Sequence, residues 1–102
     1  MDFKLVWTPL ARDDLRRIVS YVARDNPGAA TRVGEGILSS VELLQSMPRM
    51  GRMVPERQDE TRRETIRGNY RIIYRLREED NVIEIWRVWH GARGTPALLN
   101  LG

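Results

Sequence analysis

The chain has no cysteine, and only one lysine, one histidine and one phenylalanine among its 102 residues. Without cysteine there is no disulfide framework, no zinc ribbon and no thiol nucleophile. A reducing cytoplasm is the compartment this composition suits. The opening Met1-Asp2-Phe3-Lys4 is interrupted by charge too early for a signal peptide. No apolar run approaches the roughly 20 residues of a membrane span, so no membrane partner is expected. No metal-binding or cofactor-binding motif is present. A lone histidine, His90, is by base rate more often a hydrogen-bonding structural residue than a catalyst.

What remains is an ordinary globular composition, 41% hydrophobic and 30% charged. A chain of this length makes one small domain over residues 1–102, burying roughly 60–65% of its unfolded surface. The formal net charge is only +3, but it is unevenly spread. Between Arg49 and Arg77 lie nine arginines against four acids, Glu56, Asp59, Glu60 and Glu64. Arginine suits bidentate contact with carboxylate or phosphate and stacking on aromatic rings better than lysine does. A GC-rich genome explains the overall arginine excess; it explains the clustering less well.

Residues 3–7 alternate apolar and polar, the pattern of a strand. Thr8-Pro9 then reads as a helix start, with Thr as N-cap and Pro where a missing donor costs nothing. Ala11, Leu15, Ile18 and Val22 share one face of that helix. Asn26 caps a second helix predicted over residues 27–46, with Ala30, Val33, Ile37, Val41 and Leu44 facing the core. Gly34 and Gly36 each cost about 1 kcal/mol relative to alanine inside a helix, which predicts a close approach of the two helices there. Met47-Pro48-Arg49 ends the helix and opens a polar loop to about Thr61, with Met47, Met50 and Met53 expected to pack it. Residues 63–66 form a strand, and Gly68-Asn69 a turn. The expected fold is α+β, in the order β-α-α-β-β-β: an antiparallel twisted sheet with an N-terminal helical hairpin on one face.

The last third carries the candidate site. Tyr70-Arg71-Ile72-Ile73-Tyr74-Arg75-Leu76 and Val82-Ile83-Glu84-Ile85-Trp86-Arg87-Val88-Trp89-His90 read as two strands joined across Glu78-Glu79-Asp80-Asn81. If Arg77 pairs with Val82, then Ile72, Tyr74, Leu76, Ile83 and Ile85 face the helices. Arg71, Ile73, Arg75, Glu84, Trp86, Val88 and His90 share the other face, with Arg75 opposite Glu84 and Arg71 diagonal to His90. Arg87 then falls on the core face, which demands either a route to the sheet rim or a bulge. Mixed arginine and tryptophan surfaces are characteristic of interfaces. A partner segment, or the apolar tail of residues 97–101, would cover this face.

The residues that carry a family likeness run through nearly the whole chain. They are Ala11, Asp14-Leu15, Ile18 and Tyr21, then Pro48 and Gly51-Arg52, then Arg63-Glu64, Tyr70-Arg71-Ile72-Ile73-Tyr74, and Ile85-Trp86-Arg87-Val88-Trp89-His90-Gly91-Ala92-Arg93. In their order and spacing the chain resembles the RelE/ParE superfamily of bacterial toxins from type II toxin–antitoxin modules. The resemblance implies a toxin held inactive by a cognate, ParD-like antitoxin, as in plasmid stabilisation systems. RelE-like members cleave mRNA in the ribosome, while ParE-like members poison DNA gyrase; the terminal His90-Gly91-Ala92-Arg93 is closer to the ParE branch.

Metal-free RNA cleavage needs a base for the 2′-hydroxyl, an acid for the leaving oxygen and cations for the phosphorane. His90, Glu64 or Glu56, and Arg71 or Arg75 could supply them. The tyrosine near the C-terminus or the lysine pair of many ribonuclease members is missing: Gly91 follows His90, and Lys4 is the only lysine. The reading is therefore a non-catalytic gyrase inhibitor. Arg71, Ile73, Arg75, Trp86, Val88, His90 and Arg93 would contact target or antitoxin. An mRNA endonuclease acting with ribosome and mRNA is the alternative, and an inactive antitoxin-binding module a further one.

Overall fold

The computed structural model describes residues 2–56 and 59–91. The elements follow the chain as β1 (Lys4–Trp7), α1 (Pro9–Ala23), α2 (Pro27–Leu43), β2 (Arg52–Met53), β3 (Arg62–Arg67), β4 (Tyr70–Arg77) and β5 (Val82–His90). The caps form where the sequence places them. The Thr8 side chain accepts from the Ala11 N–H and that of Asn26 from the Ala29 N–H, and each is followed by proline at the helix start. Thr8 does more, since its hydroxyl also donates to the Ile85 carbonyl at 2.9 Å. That bond ties the β1–α1 junction to β5.

The sheet order is β1-β5-β4-β3-β2. Two details differ from expectation. The sheet is mixed, because β1 lies parallel to β5, while the remaining neighbours are antiparallel. After the helical hairpin the chain re-enters at the opposite edge with β2 and meanders back through β3 and β4, so β5 arrives beside β1 running in the same direction. The second difference is β2, two residues long, which pairs Arg52 with Glu64 and Met53 with Arg63. The β3–β4 turn has Gly68 at φ 59°. Glycine first and asparagine second suits a II′ hairpin.

Both helices pack on one face of the sheet. Ala11, Ile37, Val41 and Leu44 meet Ile72, Tyr74, Leu76, Ile83, Ile85 and Val88 in the main core. Gly34 sits against Val19 of α1, as its position in the helix predicts, whereas Gly36 lies under the Arg67 guanidinium of β3. The loop after α2 is fastened by Tyr74, whose hydroxyl donates to the Pro48 carbonyl and accepts from the Gly51 N–H. A Cβ at Gly51 would stand 2.5 Å from both the Glu64 carbonyl oxygen and the Tyr74 hydroxyl, so only glycine fits. Met47, Met50 and Met53 do not pack this loop: all three are exposed, and the buried apolar side chain among its described residues is Val54.

Register decides the site. Arg77 pairs with Val82, Arg75 with Glu84 and Tyr74 with Ile85, as expected, but Ile73 then pairs with Arg87. Trp86 is the extra residue of a β-bulge, and beyond it the two faces of β5 are exchanged. Val88, expected on the open face, is buried in the main core, and Trp89 takes the open face instead. Arg87 is released from the core and reaches Asp14 of α1. Both guanidinium contacts are 2.7 Å, and the same carboxylate accepts the Val88 N–H at 3.0 Å. The hydrogen bonds that Arg87 donates to Asp14 hold its pKa above the ordinary arginine value against the opposing effect of burial.

Two outcomes test this account. Asp14→Ala should cost about 3 kcal/mol in urea unfolding, the scale for stranding one partner of a buried pair; a loss below about 1 kcal/mol would mean the clamp is dispensable. Burial raises the Tyr74 pKa above its ordinary value. The neutral phenol therefore contributes fully below about pH 10, and its stabilisation is lost as pH rises through the folded value. Tyr74→Phe should lower stability at neutral pH by about 1 kcal/mol yet flatten the decline above pH ~10.

Candidate functional site

The face of the sheet away from the helices is partly roofed. Val54, from the loop after β2, sits on Ile73, and both are fully buried, with Trp86 and Trp89 packed against them. Ile73 was expected on an accessible surface; its side chain is instead the floor of this small second core. Arg62 stacks on Trp86 with its guanidinium 5.0 Å from the ring centroid, and Arg87 on Trp89 at 4.8 Å. These stacks combine desolvated cation–π contact with apolar packing. Trp89 was missed in the sequence because its face depends on the bulge.

Beside this core runs a chain of four charges. Glu64, its side chain wholly buried, accepts from Arg52 Nε at 2.7 Å and from Arg71 Nε at 2.6 Å. Arg71 in turn gives its two terminal nitrogens to Glu56, at 3.2 and 3.0 Å. Burial by itself would lower the Arg71 pKa, but the hydrogen bonds to Glu56 and Glu64 outweigh it and the pKa is raised. Arg71 is thus a permanently charged, nearly buried link, its side chain only 13% exposed. Neutrality is local, since two arginines face two glutamates.

Arg75 lies further along β4, half-exposed and 3.9 Å from Glu84. The cross-strand pairing expected for these two is present, though the separation makes it a loose contact. Arg62 is held by Asp59, whose pKa is lowered chiefly by the Thr61 hydroxyl and N–H, with Arg62 adding to the effect.

His90 stands apart from these groups. The bulge turns it to the helix side, where it pairs with Tyr70 across the strands and meets that ring edge-on at 5.4 Å. A cavity of about 460 Å³ opens there between Tyr70 and His90 and the Arg17, Ile18, Tyr21 and Val22 side of α1. The diagonal neighbourhood expected for Arg71 and His90 on one face does not form. They do share the rim of a smaller cavity, about 330 Å³, at the end of the sheet with Ile66, Tyr70 and Gly91. Arg93 and the tail of residues 97–101 lie outside the described residues.

Comparison with known proteins gives a consistent family. Residues 5–94 match the family described as the ParE toxin of the type II toxin–antitoxin system, parDE. Among solved structures, the chain is similar to the RelBE2 toxin–antitoxin complex of Mycobacterium tuberculosis. The identity is 25%, 88% of this chain and 99% of that one are covered, and the TM-score is 0.66. It is also similar to a chromosomal ParDE toxin–antitoxin system of P. aeruginosa, with 25% identity, 86% and 95% coverage and a TM-score of 0.68. A mutant of the E. coli toxin RelE in its free state shares the fold at 16% identity, 92% and 88% coverage and a TM-score of 0.67. No curated relative matches the chain.

The buried position of Glu64 makes a direct prediction. Glu64→Gln places an amide donor against two arginines and should cost about 2–4 kcal/mol of stability by urea unfolding. Unchanged stability would show that the carboxylate does not hold the loop to the sheet.

Proposed function

Because the chain belongs to the ParE toxin family of type II toxin–antitoxin systems, we propose that it inhibits DNA gyrase without catalysing a reaction, and that a ParD-like antitoxin neutralises it. The observation that carries this reading is the dispersal of the groups a metal-free ribonuclease must converge. Glu64 is sealed between Arg52 and Arg71 and has no approach to a ribose hydroxyl. His90 faces the helices, across the sheet from the arginines that would stabilise a phosphorane. Arg71 spends both edges of its guanidinium on glutamates. A general acid–base mechanism needs these groups within hydrogen-bond reach of one scissile phosphate.

What the open face does offer is contact chemistry. Trp86 and Trp89 with their stacked arginines, and the half-exposed Arg75 beside them, are residue types that dominate protein–protein interfaces. An antitoxin partner is further supported by the toxin–antitoxin assemblies among the similar structures. A ribosome-dependent mRNA endonuclease is the second reading. One observation favours it: the cavity at the end of the sheet, where Arg71 and His90 share a rim.

Purified toxin should inhibit gyrase supercoiling and leave ribosome-bound transcripts intact. His90→Gln, which keeps hydrogen bonding but cannot titrate, should retain most of the toxicity on induced expression. A ribonuclease using His90 would instead lose a factor of roughly 10²–10⁴. Ribosome-dependent transcript cleavage by the wild type, abolished in His90→Gln, overturns the gyrase reading.

A further inference from the structure

A guanidinium offers two bidentate edges, and those of Arg71 are held by partners of different kinds. Its Nε edge meets Glu64, whose side chain has no exposure and is also bound at 2.6 Å by Arg52 Nη2. That contact is a fixed part of the sheet. The end-on fork of Nη1 and Nη2 meets Glu56, whose side chain is 31% exposed and lies beyond the end of β2. Glu56 can therefore leave without opening the sheet, while Glu64 cannot.

We propose that the Nη1/Nη2 fork of Arg71 is an anion receptor that Glu56 occupies in the free toxin and yields to a carboxylate side chain of the protein it binds. The geometry is that of fork-to-fork arginine–carboxylate recognition, here satisfied internally by a residue of the same chain. Glu56 thus stands in for the incoming acid and keeps a buried arginine paired until it arrives. With Glu56 gone, the nearly buried Nη1/Nη2 fork would lose its acceptors while Glu64 holds only the Nε edge, so exchange, and not simple opening, is the low-energy route.

The ligand class follows from the local charge. Arg52 and Arg71 are balanced by Glu56 and Glu64, so this four-residue cluster holds no excess of the cations on which binding of a polyphosphate backbone depends. Replacing one carboxylate by another preserves that balance. The adjoining Trp86 and Trp89, packed over the buried Val54 and Ile73, give an apolar neighbour suited to a protein side chain. The inference rests on the protein-target reading only for the identity of the incoming chain.

The test follows the Arg71 Nε–H resonance in full-length toxin labelled with ¹⁵N-arginine, assigned by its loss in Arg71→Lys. Sodium acetate serves as the carboxylate probe and inorganic phosphate as the rival, each titrated at constant ionic strength. Glu56→Gln should respond to acetate at a concentration at least about tenfold below wild type, the scale of one charge-assisted hydrogen bond. Glu56→Asp, which keeps the charge but shortens its reach, should fall between the two, and it decides the matter if Glu56→Gln does not fold. Equal acetate responses in wild type and the folded variant overturn the proposal. So does a variant whose Arg71 answers phosphate and not acetate. Neither gyrase nor ribosome is in the assay, so its failure and a failure of the gyrase reading are separate results.

Discussion

The extra residue at Trp86 is the constraint on which the rest of the sheet depends. Side chains on a strand alternate between faces, so a single inserted residue exchanges every position beyond it. Without the bulge, Arg87 would enter the helix-side core as an unpaired cation, and Val88 and Ile73 would share an exposed face. With it, Val88 completes the core and Arg87 turns toward the sheet edge. That edge is where β1 stops pairing with β5, after Ile85. Asp14 takes over there, accepting the Val88 N–H that no strand receives and neutralising Arg87 in the same contact. One carboxylate thus answers both demands of the bulge, an unpaired backbone donor and a displaced charge.

Much of this architecture was legible because it rests on local chemistry. Thr8-Pro9 and Asn26-Pro27 announce both helix starts, and the apolar spacing of α1 and α2 identifies their buried faces. The first half of the β4–β5 register, from Arg77 and Val82 to Tyr74 and Ile85, followed from the turn alone. The second half could not be read by alternation, since a bulge leaves no mark of its own. Its trace was a contradiction: Arg87 on a core face. Accepting the bulge would have moved Trp89 to the open side and His90 to the helix side. The parallel β1–β5 pairing and the two-residue β2 depend on contacts distant in sequence, which periodicity does not encode.

The arginine clustering likewise means something different in three dimensions. Seen along the chain, residues 49–77 look like a cationic patch. In space Arg49 meets Glu78, Arg62 meets Asp59, and Arg52 and Arg71 are threaded between Glu64 and Glu56. The acids are fewer but are placed where the arginines converge. The face therefore presents planar, stacked guanidinium groups on tryptophan more than it presents net charge. The exposed pair among them, Arg49–Glu78, contributes little to stability by itself and is screened by salt, whereas the contacts of Glu64 are buried. Their value lies in fixing where each fork points.

The bond from the Thr8 hydroxyl to the Ile85 carbonyl joins residues 77 positions apart. With the parallel β1–β5 ladder beside it, this makes the first strand wait for the last. Contacts of such long separation slow folding, because the loop between them must be closed before any of them forms. During synthesis β1 therefore emerges early and has no sheet to join until β5 follows it. The finished sheet exists only once β5 has been made, so the face that carries Trp86 and Trp89 is absent from any shorter nascent chain.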